Sequence, residues 1–142
     1  MRSLVLISAV LAASAVTAGA APAATTSSSP WASQANKVCV VWLAKANKEF
    51  GKPVTPAQLY SFAHKANTLE TQELGVLVKI PARPAAGTAA LNAVIADINE
   101  LRSAISAYDK GSPAQFVTIL KKYLNDERAK QAFAAAGATK CG

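Results

Sequence analysis

Histidine and cysteine are almost missing from this chain. His64 is its only histidine, and Cys39 and Cys141 are its only cysteines. A di-iron bundle site needs Glu-x-x-His from each of two helices. Here Ser61 stands three residues before the single histidine, so that pattern is excluded. Two cysteines about 100 residues apart offer neither a Cys-x-x-Cys redox pair nor zinc spacing. There is no glycine-rich phosphate loop and no nucleophile elbow. Acidic residues are also scarce, 8 against 15 lysines and arginines, which leaves a net charge of +7. No window alternates apolar and polar residues for long enough to read as a strand.

What is present begins with an export signal. Met1-Arg2 supplies a positive charge, Leu4-Val5-Leu6-Ile7 opens an apolar run to about Val16, and Ala18-Gly19-Ala20 fits the small-x-small pattern of signal peptidase. Cleavage is expected after Ala20, with Ala23 the second choice, making residues 1–20 a signal peptide. The run is shorter than the roughly 20 residues of a spanning helix. No cysteine stands at the cleavage region, which disfavours a lipid anchor, and no later segment reads as transmembrane. Residues 21–29 are Ala, Pro, Thr and Ser alone and cannot offset their ordering entropy by burial, so they are expected to form a flexible linker. Loss of Arg2 lowers the net charge from +7 to +6. A basic exported domain suits anionic cell-envelope components, although solubility alone is the commoner reason for such charge.

The remaining residues, 30–142, read as one helical domain. Thr55-Pro56-Ala57-Gln58 and Ser112-Pro113-Ala114-Gln115 both match a capping box with proline at the first helical position, and Ser29-Pro30 starts a helix without the glutamine. The first helix is predicted from Pro30 to Phe50, with Ala35, Val38, Cys39, Trp42 and Ala46 inward. The second runs from Pro56 to about Lys79, burying Leu59, Phe62, Ala66, Leu69, Val76 and Ile80, and Pro81 and Pro84 break the chain after it. The third, about Ala86 to Lys110, alternates spacings of three and four through Leu91, Val94, Ile98, Leu101, Ile105 and Tyr108. The fourth, Pro113 to about Ala136, carries Phe116, Ile119, Leu120 and Tyr123 and ends at Gly137. Trp31 and Trp42 read as core, with room for partial exposure at Trp31, next to the linker. Short connections favour antiparallel neighbours. The expected fold is all-α: an antiparallel four-helix bundle, up-down-up-down.

In an oxidising compartment, the only two cysteines of a small domain pair, so a structural disulfide between Cys39 and Cys141 is expected. Ala35-Asn36-Lys37-Val38-Cys39, the break Ile80-Pro81-Ala82-Arg83-Pro84 and the ending Gly137-Ala138-Thr139-Lys140-Cys141-Gly142 resemble a group of small secreted actinobacterial helical-bundle proteins. These share an Ala-Asn-x-x-Cys start and a Gly-x-x-x-Cys-Gly finish, over nearly all of the mature chain. The resemblance implies a bundle and export, and no activity, cofactor or site residue.

Tyr60 and His64 lie one turn apart on the second helix, a spacing that suits haem iron because both residue types are axial ligands. The arrangement is similar to that used by some secreted actinobacterial haem-binding helical proteins. By helical angle His64 points away from the apolar stripe, and a solvated surface histidine is the favoured reading. Glu73 and Glu127 fall close to apolar stripes, but no metal-ligand spacing accompanies them. Lys121, Lys122, Arg128 and Lys130 are interleaved with Asp126 and Glu127 and point several ways, unlike a nucleic-acid face. The expectation is therefore a non-enzymatic exported protein of the cell envelope or medium with a binding or structural role. The alternative is a carrier of haem or a small apolar ligand at Tyr60 and His64.

Overall fold

The computed structural model describes residues 29–50 and 55–141. The expected signal peptide, 1–20, and the linker up to residue 28 lie outside the described residues. Among the described residues five helices follow in order: α1 (Pro30–Glu49), α2 (Pro56–Leu77), α3 (Ala85–Asp109), α4 (Pro113–Leu124) and α5 (Arg128–Ala135). No strand occurs among the described residues. The four predicted helical segments are all present, and the fourth is divided in two.

The helix starts follow their capping chemistry unequally. Ser29 Oγ accepts from the Ala32 N–H at 3.1 Å. At α2 the full box forms: Thr55 Oγ1 accepts from the Gln58 N–H at 3.2 Å, and Gln58 Oε1 accepts from the Thr55 N–H at 3.0 Å. The matching box at Ser112 does not form. Its backbone N–H is already given to the Ala107 carbonyl, while the Gly111 N–H goes to Tyr108. That pair of bonds, with Gly111 at φ +74°, is a Schellman ending of α3. The end of one helix thus uses the group that the start of the next would need. Gly137, at φ +82°, ends α5 the same way, through Ala138 to Phe133 and Gly137 to Ala134.

Asn125 and Asp126 split the fourth segment. The Asn125 side chain donates to the Lys121 carbonyl at 2.7 Å, and Asp126 Oδ1 accepts from the Arg128 N–H at 2.8 Å. Such local side-chain bonds offer the backbone an alternative to the helical ladder. The chain then restarts as α5.

α3 is the central element, packed against α2, α4 and α5, whereas α1 rests mainly on α2. Two apolar clusters result. One joins Ala63 and Ala66 of α2, Leu101, Ala104 and Ala107 of α3, and Phe116 and Leu120 of α4. The other joins Trp31, Ala35 and Cys39 of α1 to Leu91, Val94 and Ile98 of α3, Phe133 of α5, and Cys141. Trp31 is wholly buried rather than partly exposed, its ring stacked 6.3 Å from that of Phe133. Gly87 permits this approach, because a Cβ there would stand 3.2 Å from the indole. Val76, expected inside, is exposed, and its neighbour Leu77 is the buried residue. Along α3 the buried stripe moves after Leu101 to Ala104 and Ala107, leaving Ile105 and Tyr108 half-buried.

Cys39 and Cys141 are bonded, with Cα atoms 5.0 Å apart, and both are buried. Asn36 Oδ1 also accepts the Lys140 N–H at 2.7 Å. The short sequence around Cys39 and the one around Cys141 therefore hold each other by a covalent bond and a hydrogen bond side by side.

Candidate functional site

The N-terminal half of α2 places Tyr60 and His64 on one side, four residues apart, with their rings edge to face at 4.6 Å. His64 is exposed and Tyr60 half-buried. Behind Tyr60 the Tyr108 ring stacks at 4.3 Å, and Phe116 closes the cluster at 5.2 Å from Tyr108. Tyr60 Oη donates to Asp109 Oδ1 at 2.5 Å, and this bond to a carboxylate raises the phenol pKa. The two ligand candidates thus meet on a surface backed by aromatic rings. Beside them lies a shallow cavity of about 250 Å³, lined by Glu49, His64, Lys65 and Thr68 among others. His64 is solvent-facing, as its helical angle implied. Asp109 and Tyr108, the partners of Tyr60, were not anticipated. The available signal was the short α3–α4 turn and the α2 start, which bring the last turn of α3 beside the first turns of α2.

A second group of polar side chains sits deeper. Tyr123 of α4 donates its hydroxyl to Glu70 Oε1 of α2. Burial raises the Glu70 carboxyl to about 7 against the opposing pull of that hydrogen bond, with Asp97 and Glu73 adding to the rise. Burial likewise lifts Glu73 to about 7. Asp97 of α3 is the one buried charged residue among those described, and burial followed by the charge of Asp126 raises it to about 6. Arg128 bonds Glu100 at 2.9 Å and Asp126 by a shorter contact, and it stands 3.8 Å from Asp97. Lys122 pairs with Glu100 at 2.5 Å. The Asn125–Glu127 break is what turns Arg128 back over α3. Glu73, noted for its place near an apolar stripe, belongs to this group, whereas Glu127 is exposed near Lys130 at 3.9 Å.

Among the described residues no three His, Cys, Asp or Glu side chains stand close enough together to hold a metal ion. No helix among them is long and apolar enough to cross a membrane. Compared with protein-family models, curated proteins and solved structures, the chain matches none.

Proposed function

We propose that this chain is an exported, non-catalytic binding protein and that its Tyr60–His64 face captures a planar apolar ligand, haem being the best fit. The contact between the Tyr60 and His64 rings at the surface is the observation that carries this reading. Ferric haem accepts both phenolate and imidazole ligands. The stacked Tyr108 ring extends the apolar surface, and Lys65 beside His64 offers a cation for haem carboxylates. Tyr60 and His64 would be the residues to hold the iron, and Asp109 Oδ1, which accepts the Tyr60 hydroxyl, would take the phenol proton. The reading also takes the helices as an up-down-up-down bundle. Three contacts support that order for α2, α3 and α4: Tyr60 with Asp109, Lys122 with Glu100, and Tyr123 with Glu70.

Haem titration of the purified mature chain tests the site. A Soret band that shifts on binding is expected, with Tyr60→Phe and His64→Ala each weakening capture about tenfold or more and the double variant abolishing it. Wild-type protein that leaves the haem spectrum unchanged would sink the haem reading.

A second reading, docking on anionic cell-envelope components, is favoured by the outer face of α1. Val40, Val41 and Leu43 are each more than half exposed there, beside Lys37, Lys45 and Lys48. Aliphatic side chains among lysines suit a surface that is both anionic and partly apolar. Retention on isolated cell envelope that falls with added salt is expected, and salt-insensitive passage through it would remove this reading.

A further inference from the structure

Ala35, Cys39 and Trp42 are the buried side of α1. Away from them, Lys37, Val40, Val41, Ala44 and Lys48 follow one another at spacings of three and four residues and form a single outward stripe. All five are exposed. The two valines thus sit between two lysines that stand roughly 16 Å apart along the helix axis. Leu43 and Lys45 flank the stripe on its two sides. The Lys45 ammonium lies 3.8 Å from the centroid of the Trp42 ring, a cation–π contact that holds it in place. A further cation comes from the far end of the chain. The Lys140 N–H is bonded to Asn36 Oδ1 at 2.7 Å, and the Lys140 side chain lines the same groove as Leu43.

Negative charge is absent from the stripe. Glu49 is the one acidic residue of α1, and it lines the cavity on the α2 side with His64 and Lys65. Glu70 and Glu73 are half-buried in the groove that Leu43 shares with Lys140. The arrangement discriminates between occupants. A second copy of α1 would set Lys37 against Lys48 if antiparallel, or each lysine against itself if parallel, and like charges repel. A soluble polyanion would meet the lysines but leave Val40, Val41 and Leu43, each more than half exposed, in water. An anionic bilayer meets both needs. Aliphatic side chains reach the acyl boundary, lysine stems lie along it, and the ammonium groups reach the phosphates.

From the envelope reading, on which this rests, we infer that the outer face of α1 docks on an anionic phospholipid surface. Val40, Val41 and Leu43 face the acyl boundary, and Lys37, Lys45, Lys48 and Lys140 face the phosphates. The face shares no residue with Tyr60 or His64.

Cosedimentation of the full mature chain with vesicles of phosphatidylglycerol and phosphatidylcholine, against phosphatidylcholine alone, tests the assignment. Tighter binding to the anionic vesicles is expected, weakening with added salt. A lysine near such a surface is worth about fivefold, so Lys37→Gln with Lys48→Gln should weaken binding roughly tenfold or more. Val40→Ser with Val41→Ser keeps every charge and should still weaken it about fivefold or more. Circular dichroism should show the helices of both variants intact, and Tyr60→Phe with His64→Ala should bind as wild type. Equal binding to both kinds of vesicle would overturn the inference, as would full binding by the lysine variant or by the valine variant. Retention on isolated cell envelope without binding to anionic vesicles would overturn it too, while leaving the envelope reading in place with a wall polymer or an envelope protein as the partner. Failure to bind either would remove both.

Discussion

Cys141→Ser is expected to lower the melting temperature sharply and to open one end of the domain while leaving the other folded. The bridge spans 102 residues, and for a loop of that length the chain-entropy model gives about 4–5 kcal/mol. That is comparable to the net stability of a small domain. The loss has a location. Cys39 and Cys141 belong to the cluster with Trp31, Ile98 and Phe133, and α5 with its following turn otherwise meets α1 through the Trp31–Phe133 stack and the Asn36–Lys140 hydrogen bond. Of those, the Asn36–Lys140 hydrogen bond is worth only about 1 kcal/mol. Limited trypsin digestion should therefore cut first at Arg128, Lys130 and Lys140, all of them exposed. The Ala63–Leu101–Phe116 cluster needs neither cysteine and should protect α2 to α4 for longer. Equal melting temperatures of oxidised and reduced protein, or uniform proteolysis along the chain, would refute this division.

Stability should fall as pH rises from about 5 to 8, the reverse of what salt-bridged carboxylates produce. Glu70 and Glu73 each titrate near 7 in the folded protein, against 4.5 as the ordinary value. Between those limits the native state holds protons that the unfolded chain has released. Raising pH through that window therefore favours unfolding, and the penalty is complete above about 7. Asp97, raised to about 6, acts in the same sense at the lower end. Asp126 opposes the trend in acid. Hydrogen bonds from Arg128 lower its pKa, so its stabilisation is lost as pH falls through that lowered value. The optimum should thus lie near pH 5. Glu70→Gln combined with Glu73→Gln should add ~2 kcal/mol at pH 8 and little at pH 5, a change of about 5 °C or more in melting temperature at the higher pH. A wild-type profile that is flat or rises between pH 5 and 8 would contradict this account.

Local chemistry made much of the fold legible. Proline after a hydroxyl residue marked three helix starts, Gly111 and Gly137 marked two ends, and the compartment argument paired Cys39 with Cys141. What escaped reading was competition between neighbours for one group. Ser112 has the same sequence context as Thr55, yet the ending of α3 had already taken its N–H. Asn125 and Asp126 sat inside a convincing apolar pattern, and their side-chain bonds to the backbone outweighed it. The complete burial of Trp31 is not legible from its place beside the linker, because it depends on Phe133 and Gly87, more than 50 residues away. At the candidate site, Tyr60 and His64 were visible from spacing alone. Asp109, Glu70 with Tyr123, and Asp97 were not, because each acquires its meaning from a partner on another helix.

The two apolar clusters divide the molecule by redox sensitivity. Tyr60 and Tyr108 pack against the cluster that contains no cysteine, and the disulfide closes the other. A reductant that releases α5 and the last residues from the middle of α1 therefore acts on a part of the protein that does not shape the Tyr60–His64 face. The covalent clasp and the proposed haem face are insulated from each other, with α3 as the shared wall between them. Stability and the proposed capture of a ligand can in this way be set by different residues, so that one changes without disturbing the other.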